Sequence, residues 1–118
     1  MNDKKRDNLW EISKKVYKEL DVLLSYFPKI VQKQDKETLL ISTKQIPINI
    51  FKARNNSENA ADLKYLKNAS LASQTLSEKL TQTFNTEKNN IFYQTILHRL
   101  SEVKNQLTLE TKKHTLNK

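Results

Sequence analysis

Glycine is absent from all 118 residues, and so is cysteine. Without glycine, no residue takes positive φ at little cost, and tight two-residue hairpins depend on such residues. A sheet protein of this length would be hard to turn, so the composition favours helices joined by short polar loops. The same absence removes glycine-dependent phosphate loops and nucleophile elbows. Without cysteine there is no disulfide framework, no zinc-thiolate site and no cysteine nucleophile. Long apolar runs are missing too: no stretch approaches the roughly 18 residues a membrane span needs. The N-terminus, Met1-Asn2-Asp3-Lys4-Lys5-Arg6, is charged and leads into no apolar core region, so no signal peptide is read there. The expectation is a cytoplasmic protein away from the membrane.

Acidic residues are also scarce. Thirteen Asp and Glu face 21 Lys and Arg, giving a net charge of +8 and a pI near 9.7. Such a balance says nothing of fold but favours polyanionic partners: RNA, DNA or acidic protein surfaces.

What remains is strongly periodic. In a first segment, about 7–27, Leu9, Ile12, Val16, Leu20, Leu23 and Phe27 recur at steps of three and four, one face of an α-helix. Trp10, Tyr17 and Leu24 repeat every seven residues and widen the stripe, a spacing that reads as core or interface. Asp7 is a suitable N-cap, and Pro28 ends the segment by pushing the preceding residue out of the α region. A second segment, about 35–54, carries Leu39, Thr43, Ile46, Ile50 and Ala53 at helical steps. Leu40, Ile41, Ile48 and Phe51 lie on its neighbouring faces, more apolar surface than one buried face requires. Pro47 interrupts that pattern; because the periodicity continues beyond it, one kinked helix is expected rather than two short ones.

Asn55-Asn56-Ser57-Glu58-Asn59 reads as a loop. A third segment, about 60–84, places Leu66, Ala69, Ser73, Leu76, Leu80 and Thr83 on one stripe, with small residues where a neighbour can approach closely. Asn85-Thr86 reads as turn and N-cap to a fourth segment, about 87–112, whose stripe is Phe92, Ile96, Leu100, Val103 and Leu107. Residues 113–118 read as a polar basic tail that frays. The whole is expected to be a single all-α domain, an antiparallel up-down four-helix bundle.

The excess charge is uneven. Residues 36–54 hold four basic residues against one acidic and residues 85–118 six against three, whereas 55–84 is balanced at three each. If the second and fourth segments lie side by side, they form one basic face that holds phosphates without reading sequence. Lys44, Lys52, Arg54, Arg99 and Lys104 are the candidate nucleic-acid-binding residues.

Catalytic chemistry finds little footing. Di-metal carboxylate bundles need Glu-x-x-His pairs, but Thr95 precedes His98 and Thr111 precedes His114 by three positions. Small helical ribonucleases with an Arg four to six residues before a His also fail to match, because neither histidine has such an arginine. The adjacent His98 and Arg99 read as a surface pair. Neither a catalytic residue nor a metal or other cofactor is expected.

Several local strings resemble one family. Trp10, Tyr17 and Tyr26-Phe27-Pro28-Lys29 are similar to the first helix of bacterial four-helix-bundle proteins encoded in rRNA intervening sequences. Ile46-Pro47-Ile48-Asn49-Ile50 resembles their Ile-Pro-x-Asn-Ile signature. Leu66-Lys67-Asn68-Ala69-Ser70 and Leu76-Ser77-Glu78-Lys79-Leu80 resemble their third helix. The resemblance spans about residues 9–110. It departs after the signature, where that family continues to Glu-Gly and this chain has Phe51-Lys52-Ala53. The same superfamily includes the accessory variability determinants of diversity-generating retroelements, barrel-shaped homopentamers that bind nucleic acid and a reverse transcriptase. The resemblance thus implies a non-enzymatic accessory protein, homopentameric, binding nucleic acid and partnering a reverse transcriptase; RNA is expected ahead of DNA. The alternative it leaves open is a protein-interaction scaffold that does not touch nucleic acid.

Overall fold

The computed structural model describes residues 3–27, 29, 31–53 and 60–116. Among these residues there are four α-helices and no strand: α1 (Asp3–Tyr26), α2 (Lys33–Lys52), α3 (Ala60–Thr83) and α4 (Ile91–Leu116). The expected segments are all present, and each helix buries one stripe in a shared core. Val16, Leu20 and Leu23 of α1 are fully buried, as are Leu39 and Ile50 of α2. Leu66, Leu76 and Leu80 of α3 join Ile96, Leu100 and Leu107 of α4 in the same cluster. Each such side chain contributes about 1.5–3 kcal/mol by leaving water. No helix is long and apolar enough to cross a membrane among the described residues.

Where hydroxyl groups enter this core they are satisfied within their own helix. Ser13 donates to the Leu9 carbonyl at 2.7 Å, Thr43 to Leu39 at 2.6 Å and Ser73 to Ala69 at 2.9 Å. The hydroxyl hydrogen bond removes most of the penalty of burying the oxygen. Ala69 and Ser73 thereby act as small, wholly buried residues on α3, where a neighbouring helix needs room.

The arrangement is a ring. α1 packs on α2, α2 on α3, α3 on α4 and α4 on α1, while the pairs α1–α3 and α2–α4 do not meet. The condition for a joint basic face, that the second and fourth segments lie side by side, is therefore not met: α2 and α4 are diagonal. Helix–helix adjacency follows the order of the apolar stripes around the core, which charge cannot override.

Several boundaries also move, each for a local reason. Asp7 does not cap α1, because the helix begins four residues earlier. Its first turns are held by tertiary contacts: Lys5 Nζ lies 3.4 Å from the Glu110 carboxylate of α4, and Arg6 donates to the Ala53 carbonyl after α2 at 3.3 Å. Glu110 is only 4% exposed and takes a second cation, Lys113, at 3.7 Å. Donating to Lys113 and sitting beside the Glu110 charge raise the Lys5 pKa, while accepting from Lys5 lowers that of Lys113.

α2 starts at Lys33, which puts Asp35 in its first turn, where a carboxylate suits the helix dipole, and within 3.5 Å of Lys79 of α3. Thr86 does not cap α4. Residues 84–86 turn, and Asn90 is the cap, its Oδ1 accepting from the Tyr93 amide at 3.1 Å. Tyr93 (4% exposed), packed against Phe84 with ring centres 5.7 Å apart, takes the buried place expected for Phe92 (51% exposed). At the other end, α4 runs through the expected tail as far as Leu116. Pro28 and the loop at 55–59 lie outside the described residues.

Leu76→Ala or Leu100→Ala should cost about 2–5 kcal/mol, since either leaves a cavity in a closed core. Leu71→Ala, at a position 66% exposed, should stay within about 0.5 kcal/mol. Urea unfolding of the three variants checks this ranking.

Candidate nucleic-acid interface

Burying Leu9, Ser13, Val16 and Leu20 on α1 fixes which residues flank them. Trp10, Lys14, Tyr17 and Lys18 stand at helical spacing beside that stripe, on the side facing α2. On α2, burial of Ile46 and Ile50 places Lys44, Ile48, Phe51 and Lys52 on the matching flank. Between them runs a groove of about 500 Å³. Its floor is apolar and aromatic: Trp10, Tyr17, Pro47, Ile48 and Phe51. Four lysines rim it: Lys14, Lys18, Lys44 and Lys52.

Pro47 is buried inside α2, and the helix continues unbroken on both sides of it. Its ring cannot donate to the chain, so it presents only hydrocarbon to the groove. Two residues on, Asn49 turns its amide back to the Gln45 carbonyl at 2.7 Å instead of into the groove.

The lysines are poised by the rings. Lys14 Nζ sits 3.7 Å from the Trp10 ring centre and also 3.2 Å from Glu11. Lys44 lies 5.3 Å over Tyr17. Lys52 lies 5.7 Å over Tyr65 of α3 and so joins the groove to the next helix. Trp10 and Phe51 meet with ring centres 5.6 Å apart, tilted by 43°. Lys18, Lys44 and Lys52 take part in no ion pair among the described residues, so their charge is not cancelled locally.

Of the residues expected to bind nucleic acid, Lys44 and Lys52 are thus brought together. Arg99 is placed elsewhere. It lies on α4, and its Nε is 2.6 Å from the Glu19 carboxylate of α1, close though not aligned as a hydrogen bond. Lys104, half-buried on α4, is likewise away from α2. Arg54 lies outside the described residues. His98 and Arg99 form no joint site, because His98 faces Glu102 at 2.9 Å. Among the described residues no group of three or more metal-ligating side chains comes together.

Lys14 and Lys18 escaped the sequence reading because charge was summed by segment. Asp3, Asp7, Glu11, Glu19 and Asp21 bring the total for residues 1–28 to five acidic against six basic. The signal was there in the spacing: Trp10, Lys14, Tyr17 and Lys18 fall at i, i+4, i+7 and i+8, one strip of a helix.

A second apolar surface lies between α1 and α4. Val22, Ile91 and Phe92 line it beside the Glu19–Arg99 pair, and Tyr26 stacks on Phe92 at 5.8 Å. It differs from the first groove in carrying a carboxylate and in having its arginine already neutralised.

Compared with known proteins, the chain matches no family model, no curated protein and no solved structure.

A double-mutant cycle on Glu19→Ala and Arg99→Ala should return a coupling of at most about 1 kcal/mol, since both groups are partly solvated. It should shrink as salt is added. Zero coupling at low salt would mean that Arg99 is free to serve a phosphate after all.

Proposed function

We propose that this protein is a non-catalytic RNA-binding accessory protein that works as a homo-oligomer, with the groove between α1 and α2 as its nucleic-acid surface. The observation that supports this most strongly is the meeting of Lys18, Lys44 and Lys52, none of them ion-paired among the described residues, over an aromatic floor. Lysine ammoniums attract phosphates and release their counterions, and aromatic rings hold bases by stacking. The net charge of +8 adds a long-range field that draws a polyanion in.

The oligomer rests on two supports. One is the resemblance to barrel-forming accessory proteins, which also carries a homopentamer and a reverse-transcriptase partner into this reading. The other is exposed apolar surface: Ile41 on α2, Leu71 on α3, and Val22, Ile91 and Phe92 between α1 and α4. Isolated exposed apolar residues are ordinary, but grouped ones mark interaction sites.

The up-down course of the four helices belongs to the same reading. Its supports are contacts between opposite helix ends: Arg6 with Ala53, Asp35 with Lys79, and Tyr26 with Phe92. So does a bend of α2 at Pro47, where the missing backbone donor leaves the Thr43 carbonyl without its i+4 partner. Arg99 and Lys104 contribute only to the general field.

RNA binding should fall steeply with salt. Three to four phosphates held by the groove lysines predict roughly a 20–50-fold loss between about 50 and 200 mM salt. Lys52→Glu should weaken binding similarly for all sequences and reduce the salt slope by about one. Binding to neither RNA nor DNA at low salt would refute the proposal and leave a protein-interaction scaffold.

A further inference from the structure

The groove between α1 and α2 combines two features that a duplex cannot use together. Its rim is cationic, with Lys14, Lys18, Lys44 and Lys52, and its floor is hydrocarbon and ring surface. In a double helix the base faces are buried against one another, so aromatic side chains meet only sugar and phosphate. Of the side chains that most often read base edges, Arg, Lys, Asn and Gln, the described groove lining holds only lysine, a point charge that serves phosphates equally well. Asn49, the nearest amide, is spent on the Gln45 carbonyl.

An unpaired strand has the complementary chemistry. Its bases present free π faces, and its phosphates run alongside them at the distance of a lysine side chain. The placement in the groove fits. Phe51 is 61% exposed, its ring open to solvent on the side away from Trp10. Lys52 and Lys14 stand at that end, and Lys44 and Lys18 at the end marked by Tyr17. The groove spans residues 10–18 of one helix and 44–52 of the other, about 12 Å at 1.5 Å per residue.

We propose that the α1–α2 groove is a single-strand site: it takes unpaired nucleotides by stacking bases on Phe51, beside Trp10, while the rim lysines hold the flanking phosphates, and it does so without sequence preference. This rests on the RNA-binding reading above and narrows it to a class of ligand.

Trp10 is the only tryptophan, so its emission reports on the groove alone. The experiment titrates the full chain with an unstructured mixed-sequence RNA strand, and separately with the duplex made by annealing that strand to its complement, at one salt concentration. The strand should bind about 10-fold or more tightly than the duplex and quench Trp10. Phe51→Ala should weaken strand binding by about 5-fold or more and leave duplex binding little changed. Phe51→Tyr, which keeps a ring, should restore it. Because Phe51 is exposed, the variants should fold, and helical circular dichroism verifies this.

Equal affinity for strand and duplex with Trp10 unchanged would overturn the single-strand site while leaving the RNA-binding reading standing. Loss of both would remove that reading as well. A change of mass in solution for Phe51→Ala, with RNA affinity untouched, would show the groove to be covered by a second copy of the chain and would also overturn the proposal.

Discussion

Val16, Leu20 and Leu23 on α1 are buried completely in one cluster with Ile46 and Ile50 on α2. A helix whose stripe is fixed in a core has no rotational freedom left, and everything on its other faces is positioned as a consequence. With a repeat of 3.6 residues, fixing Leu9, Val16 and Leu20 inward sends Trp10, Lys14, Tyr17 and Lys18 to one flank. The same constraint on α2 sends Lys44, Ile48, Phe51 and Lys52 to the facing flank. The groove is what two amphipathic helices leave beside their seam when the flanking residues are rings and lysines. It needs no loop and no glycine, which suits a chain that has none.

The hydroxyls of Ser13, Thr43 and Ser73 are bonded within their own helices and cost little. The buried carboxylate of Glu110 is met by Lys5 and Lys113 and by the Gln106 amide at 3.0 Å. A lone buried carboxylate would be costly, so these partners tie the first turns of α1 to the far part of α4. By contrast, exposed pairs such as Lys79–Asp35 add at most about 1 kcal/mol. The architecture is a matter of apolar burial, with ionic contacts refining where its helices start.

Much of this was legible in the sequence. The stripes on the first three segments correspond to buried residues almost throughout, because a 3.6-residue period leaves little choice of face. The continuation of α2 past Pro47 was legible for the same reason. What could not be read locally depends on contacts between helices. The early start of α1 follows from Lys5 and Arg6 reaching α4 and the end of α2. The exchange of Phe92 for Tyr93 follows from ring contacts: Tyr93 packs on the buried Phe84, while Phe92 stacks on the exposed Tyr26. The diagonal relation of α2 and α4 is a property of the ring as a whole, and it separates Arg99 and Lys104 from Lys44 and Lys52. Segment sums of charge hid Lys14 and Lys18 behind acidic residues on other faces of the same helix.

The central claim is that nucleic acid lies in the α1–α2 groove and not on the surface between α1 and α4, where Arg99 is paired with Glu19. Ultraviolet cross-linking of bound RNA, followed by mass-spectrometric mapping of the linked peptides, tests the location directly, since aromatic side chains against bases are what such linking captures. The account predicts cross-links at Trp10, Tyr17 or Phe51, competed away by unlabelled RNA. Cross-links confined to Tyr26, Phe92 or other residues of α4 would contradict it.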